Sequence, residues 1–190
     1  MYTVKNNNEY ELEIKKSIFI SKIYKVSTIE EINNILVALK KEYHDATHVC
    51  YAYIIDNIKK SSDDGEPGGT AGIPILQVLE KSNLNYVLCA VIRYFGGIKL
   101  GAGGLVRAYT KATSELIKTT EIRELVPGYK ISITISYEEQ KQLDYILKDI
   151  QSEKIYNNDV TYLIYIPKDN ISILQNYNYK IIEDTFIEIR

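Results

Sequence analysis

Nine of the ten glycines fall between Gly65 and Gly104, inside two polar runs that hold most of the side chains able to do chemistry. Glycine gives up the most backbone entropy on ordering, so such clustering calls for tight turns or a close backbone approach to a ligand. The first run, Ser62-Asp63-Asp64-Gly65-Glu66-Pro67-Gly68-Gly69-Thr70-Ala71-Gly72, sets three carboxylates within four residues. Three such groups can hold a divalent cation against a phosphate, pair with arginines, or cap a helix near Thr70 and Ala71. The spacing is not that of an EF-hand loop, and pairing with Arg93 and Arg107 is the expectation. The second run, Arg93-Tyr94-Phe95-Gly96-Gly97-Ile98-Lys99-Leu100-Gly101-Ala102-Gly103-Gly104, reads as strand end, glycine turn and helix start. Free amides at a helix start make a seat for an anion. Lys99 and Arg107 add charge there, Arg93 can reach the same space, and Lys111 lies on the same helix face as Arg107.

These residues define a candidate phosphate or nucleic-acid site of Arg93, Lys99, Gly101, Gly103, Gly104, Arg107 and Lys111. His48, Asp63, Asp64, Gly65, Glu66, Gly96 and Gly97 form the loops and groove around it. A second reading stays open, in which the glycines permit tight strand–helix packing while Arg93 and Arg107 serve an internal ion-pair network. The second run is neither Gly-x-Gly-x-x-Gly nor Gly-x-x-x-x-Gly-Lys-Ser/Thr, so dinucleotide and Walker-type chemistry is unsupported. There is no Gly-x-Ser-x-Gly elbow. Cys50 and Cys89 sit inside apolar strand-like runs and read as buried free thiols. His44 and His48 lack the partners of a zinc set. No catalytic residue, metal site or cofactor is expected. The exception to watch is His48, which stands in a strand beside Thr47 and faces either the loops or the core.

The elements that must position these groups follow from periodicity. Two extended stretches over Tyr10–Val26 break near Lys15 and Lys16. Ser27 or Thr28, with Glu30 or Glu31, forms a capping box for a helix over 29–43. His48–Ile55 reads as a strand, and 71–81 as a short helix with Pro74 in its first turn. Tyr86–Ile92 is apolar without alternation, as in a central strand buried on both faces. Leu105, Tyr109, Ala112 and Leu116 mark one face of a helix over 102–120. Its other face carries Arg107, Lys111 and Lys118, two of them toward the N-terminus, where the macrodipole disfavours cations. A bound anion or a nearby carboxylate relieves that conflict. Arg123–Gly128 reads as a junction, with Pro127-Gly128 as a turn. The pattern then restarts: strand 129–136, helix 138–150, strands 154–156 and 160–166, short helix 169–177, strand 179–189. That is β-α-β-β-α-β. Two domains, 1–122 and 130–190, are expected.

The chain has 190 residues and a formal net charge of −2, so it has no global basic signature for nucleic acid. Residues 1–122 hold fifteen Lys/Arg against fourteen Asp/Glu, while 130–190 hold seven against ten, which assigns any polyanion surface to the first part. The 17 tyrosines are spread along the chain and reflect composition rather than an aromatic platform. No run is long enough to cross a membrane, and Met1–Glu13 has no apolar signal segment, so the cytoplasm is the expected location.

At the two loops the chain resembles the Impact/YigZ family. The matching stretches are Ala46-Thr47-His48-Val49-Cys50-Tyr51-Ala52-Tyr53, Ser62 through Pro74, and Arg93 through Tyr109, within strong similarity over about residues 10–120. Gly68 stands where serine is usual, and Lys59-Lys60 where an arginine commonly precedes the acidic loop. The resemblance implies an α+β protein. Its N-terminal domain would be like domain two of the fifth small-subunit ribosomal protein, a left-handed β-α-β type fold. Its C-terminal domain would be ferredoxin-like, as in the fifth domain of elongation factor G. It also implies a translation-related regulatory role, through RNA, the ribosome or a translation-regulatory protein. Eukaryotic relatives are linked to control of initiation, but they use an additional N-terminal domain for much of that contact. A small enzyme acting on a phosphorylated metabolite or nucleotide, and a purely protein-binding regulator, are the alternatives.

Overall fold

The computed structural model describes residues 1–189. They fall into two compact units, Met1–Arg123 and the described residues from Glu124 onward.

The first unit is built on an antiparallel sheet. Its strands are Asn8–Ile14 (β2), Ser17–Lys25 (β3), His48–Ile55 (β4), Ile58–Ser62 (β5) and Val87–Tyr94 (β6), in the order β2-β3-β6-β4-β5. β6 lies at the centre and is buried on both faces, as its unbroken apolar run predicts. The hairpin β2–β3 turns through Lys15 and Lys16, both at positive φ (48° and 65°). That pair of angles is what a two-residue turn between twisted strands requires. β5 escapes a reading by pattern because Lys59, Lys60, Ser61 and Ser62 are polar, as an edge strand should be.

Helix Ile29–Glu42 (α1) covers one face of the sheet through Ile32, Leu36 and Leu39. Its N-cap is Thr28, whose hydroxyl accepts the Glu31 N–H, while Glu31 reaches back to the Ser27 N–H. Helices Gly72–Lys81 (α2) and Ala102–Lys118 (α3) cover the other face. Ile75 and Leu79 of α2 and Leu105, Ala108, Tyr109, Ala112 and Leu116 of α3 pack there on Phe19, Ile23, Cys50, Ala52, Cys89 and Val91. Pro74 is the third residue of α2, where its missing N–H has no helical partner to lose. A short strand Tyr2–Val4 (β1) exchanges hydrogen bonds with the chain around Asn83–Asn85, and Lys5 N–H donates to the Glu121 carbonyl.

The strand Ile122–Ile135 (β7) enters the second unit at Glu124, and there it forms an antiparallel sheet with Ser152–Tyr156 (β8), Val160–Pro167 (β9) and Tyr179–Ile189 (β10) in the order β10-β7-β9-β8. Helix Gln140–Ile146 (α4) and a 3-10 segment, Lys168–Leu174, connect them. Ile131, Ile133, Ile164, Ile166, Tyr162 and Leu143 are the centre of the core.

Three expectations need correction here. The Pro127-Gly128 turn is absent: β7 runs straight through it, paired with β10 from Glu124 to Ile133. Proline needs no ladder donor at its own position, and a Cβ on Gly128 would fall on the Ile187 side chain, so this glycine serves a close approach rather than a turn. The helix over 138–150 is shortened to seven residues, with its end tightening through the Ile150 N–H to Leu147 carbonyl bond. The segment over 169–177 is 3-10 rather than α, in keeping with the poor helix propensity of Asp169, Asn170, Ile171, Ser172 and Ile173.

Candidate functional site

The strand register decides which side chains meet. His48 pairs with Arg93 across β4–β6, and Arg93 with Phe19 across β6–β3, so all three stand in a row on the α2/α3 face at one end of the sheet. Glu66 comes down on this row from the acidic loop. Its Oε1 accepts Arg93 Nη1 at 2.6 Å and the Tyr109 hydroxyl at 2.8 Å, and its Oε2 lies 3.7 Å from His48 Nε2. The Arg93 and Glu66 side chains are 6% and 3% exposed, so this is a buried pair. Arg93 also lies over the rings of Phe19 and Phe95. Burial, followed by the neighbouring Cys50 and Glu66, pushes the Tyr109 phenol far up and holds it as a donor. Burial likewise raises the Cys50 thiol to about 12, so it carries no thiolate character.

The three carboxylates of the acidic loop diverge. Asp63 turns onto the start of α2, where it accepts the N–H groups of Gly69, Ala71 and Gly72 at 2.8–3.0 Å. Burial pushes its carboxyl upward, but these three donors prevail and hold it below the usual range. Asp64 accepts the Val49 N–H and pairs with Lys40 at 2.9 Å. Burial opposes ionisation there too, and Lys40 and the Val49 amide overcome it. Among the described residues, only Glu66 of the three meets an arginine. Among the described residues no three His, Cys, Asp or Glu side chains come together as a metal set. The loop's backbone is equally committed. A Cβ on Gly72 would stand 2.7 Å from the Ser62 amide nitrogen, whereas the space around Gly68 is open, so the serine usual there would fit. Gly65, at φ 87°, sits beside the His48 ring.

The second loop is anchored at its base. Gly96 N–H donates to Ser17 Oγ and Phe95 N–H to Thr47 Oγ1. A Cβ on Gly96 would fall on the Lys16 carbonyl, so the β2–β3 turn is seated directly on this glycine. That brings the exposed Lys15 and Lys16 to the loop, which sequence spacing alone did not suggest; the signal was two adjacent lysines at the break between strands. Gly97 and Gly101 have φ of 83° and 70°. Gly101 is the N-cap of α3, and no side chain caps this helix start, nor does its first turn carry an acid. The guanidinium of Arg107 folds back to Gly103, 3.6 Å from where a Cβ would be. Gly104 packs on Leu100, and with Gly103 it belongs to this first turn. Lys118 pairs with Glu115, but Lys99, Arg107 and Lys111 have no ion pair among the described residues.

Between the loops lies an open pocket of about 290 Å³. Glu66, His48 and Arg93 line it from the sheet side, Phe95, Leu100 and Leu105 supply apolar surface, and Lys99, Gly101 and Ala102 stand at the α3 end. The structure thus brings His48, Glu66, Arg93, Lys99 and Gly101 together and turns Asp63 and Asp64 away. It also corrects the role of Arg93. As the buried partner of Glu66 it belongs to the internal network, whereas Arg107, assigned to that network in the second reading, has no carboxylate partner among the described residues. Tyr109 and Ser17 were missed as members of the network. Tyr109 offered a signal, a hydroxyl-bearing side chain on the apolar face of α3.

The fold and this pocket define a class: a two-unit α+β protein whose antiparallel sheet carries two glycine loops around a charged pocket. Residues 15–117 match the Impact N-terminal domain, and the chain belongs to the Impact family. It is similar to the Bacillus subtilis (strain 168) protein "IMPACT family member YvyE", 52% identical over 117 residues, which is 60% of this chain and 54% of that protein. With "IMPACT family member YigZ" of Escherichia coli (strain K12) it shares 33% identity over 152 residues, 77% of this chain and 74% of that protein. The match thus spans about half the length of the Bacillus relative and three quarters of the Escherichia one. A crystal structure described as that of a hypothetical protein superposes with a TM-score of 0.70 at 26% identity, covering 96% of this chain and 97% of that one. No helix among the described residues is long and apolar enough to cross a membrane.

Proposed function

We propose that this chain is a translation-related regulatory protein that binds RNA through the second glycine loop and the outer face of α3. The observation that carries the reading is the start of α3. Its amides lack a side-chain cap, its first turn lacks an acid, and Lys99, Arg107 and Lys111 stand by without a carboxylate. Cations at the positive end of a helix are unfavourable unless an anion joins them. A phosphate accepted by the amides at the start of α3 removes the conflict, and a polyphosphate strand extends that relief to Arg107 and Lys111. Family membership adds the translational link. The ribosomal-protein and elongation-factor likenesses that the family resemblance implies for the two units point to RNA as the partner, and the strand order β10-β7-β9-β8 supports the ferredoxin-like reading of the second. The test is binding of a labelled single-stranded RNA by wild type and by Arg107→Ala/Lys111→Ala over a range of salt. Affinity should fall in the double variant, and the salt slope should shrink by about 1 for each phosphate no longer neutralised. Unchanged affinity at fixed salt rejects the reading.

One observation favours the small-enzyme alternative. The Asp64 carbonyl, 2.8 Å from His48 Nδ1, fixes the ring as its acceptor and leaves Nε2 at the pocket. That is the posture of a general base. A phosphatase, nuclease and kinase screen on wild type and His48→Ala decides it: turnover lost in the variant, with an unchanged melt, makes the protein an enzyme.

A further inference from the structure

At the floor of the pocket, with the His48 ring neutral, two hydrogen-bond acceptors face each other with no donor between them among the described residues. His48 Nδ1 lies 2.8 Å from the Asp64 carbonyl oxygen, which can only accept, so the ring's N–H is used there and Nε2 keeps its lone pair in the neutral imidazole. Glu66 Oε2, 3.7 Å from that nitrogen, is beyond hydrogen-bond length and receives no hydrogen bond among the described residues, although the Glu66 side chain is 3% exposed. The carboxylate's other oxygen is held by Arg93 and Tyr109, which fixes the group's orientation and keeps it from rotating to find a donor. An unpaired carboxylate oxygen at the pocket wall, on a side chain otherwise buried, calls for a partner. A ligand amino group, with two hydrogens, satisfies both acceptors at once. Beside them Phe95, 46% exposed, joins Leu100, Leu105 and Pro67 in an apolar wall suited to a flat ring. Lys99 and the start of α3 complete the pocket with cationic character. α3 leads away from there, and Lys111 lies roughly 15 Å along its axis from Gly101 at 1.5 Å per residue.

We infer that the pocket takes a single nucleotide whose base carries an exocyclic amine. The amine bridges Glu66 Oε2 and His48 Nε2, the ring lies against Phe95, and the phosphate meets Lys99 and the amides at the start of α3. The phosphate half of this assignment rests on the RNA reading above; the base half rests on the paired acceptors. A free nucleotide and an unstacked residue of a strand share this chemistry.

Cytidine and uridine 5′-monophosphate differ along one ring edge, an amine beside a bare N3 in cytidine against a carbonyl beside an N3–H in uridine, whose single hydrogen serves one of the two acceptors but not both, and so they test the pocket with the protein unaltered. Calorimetric titration of the full chain at pH 8 should show the cytidine nucleotide binding about tenfold or more tighter than the uridine nucleotide. Inorganic phosphate should bind more weakly than either. Phe95→Ala should weaken the cytidine nucleotide about 5- to 150-fold, the range for loss of one stacked base, and leave inorganic phosphate unchanged. Equal affinity for the two nucleotides overturns the inference, as does cytidine nucleotide binding indifferent to Phe95→Ala. Binding of single-stranded RNA without binding of either mononucleotide overturns it while leaving the RNA reading intact. Binding of neither overturns both. A cytidine preference that reappears between oligocytidine and oligouridine identifies a strand residue as the occupant, and one confined to mononucleotides identifies a free nucleotide; both outcomes support the pocket.

Discussion

The acidic loop, Ser62–Gly72, and the basic loop leading into α3 look alike in composition, both glycine-rich and charged, yet they behave oppositely. In the acidic loop each carboxylate is consumed inside the protein: Asp63 by the start of α2, Asp64 by Val49 and Lys40, Glu66 by Arg93 and Tyr109. In the basic loop only the base is tied down, at Ser17, Thr47 and the Lys16 carbonyl, while its cations and the first amides of α3 face outward without partners. The carboxylates that most resemble catalytic machinery mainly hold the scaffold together, and the plainer cations form the surface proposed to meet RNA. A carboxylate cluster signals a site only when its oxygens lack donors, and here a single oxygen, Glu66 Oε2, does.

Glu66→Ala puts the greatest strain on this contrast. It strips the buried Arg93 of its counter-ion and Tyr109 of its acceptor, and should cost about 3–5 kcal/mol in urea unfolding. A loss below about 1 kcal/mol would falsify the view of Glu66 as scaffold. Asp63→Ala comes next, at about 1–3 kcal/mol, because three N–H groups at the start of α2 lose a charged acceptor. Its pH dependence has a definite sign. Since the folded state holds the Asp63 carboxyl below its ordinary range, the stabilisation is complete above that range and is lost as pH falls through the depressed folded value. Asp63→Asn should therefore flatten the acid limb of a stability–pH profile, and an unchanged limb would assign that limb to other groups. Smallest is the stability effect of Arg107→Ala with Lys111→Ala, within about 0.5 kcal/mol, since neither side chain holds anything inside the protein. A larger loss in the same unfolding assay would show that these cations support the fold and would blur the distinction between the loops.

The pattern of β6, the capping box at Thr28 and Glu31, and the strand–glycine–helix passage into α3 were all legible, because each rests on local preference. The groove was legible as a place, since the glycines mark where backbone must turn or approach closely. What sequence could not supply was partnership. Whether Arg93 or Arg107 would be the buried one depends on register: Arg93 shares the α2/α3 face with His48 because both stand opposite one another in β4–β6, and α3 points Arg107 the other way. Pro127-Gly128 misled for a related reason. The same dipeptide that makes a turn in isolation is compatible with a strand when a neighbour's side chain, here Ile187, needs the space of the missing Cβ.

The lysine turn seated on Gly96 implies a conflict for anyone wishing to harden this protein. Lys15 and Lys16 occupy left-handed backbone that suits asparagine and glycine far better, at roughly 1–2 kcal/mol per residue. The atoms nearest Gly96 are the Lys16 and Ser17 main chain and the Ser17 hydroxyl, all of which Asn-Gly at 15 and 16 retains, so the exchange could be written there without disturbing the loop beneath. The exchange would raise the melting point and remove two positive charges beside the proposed RNA surface. The turn is therefore a place where robustness and recognition compete, and selection for thermal endurance alone would be expected to quieten the protein's grip on its partner before it harmed the fold.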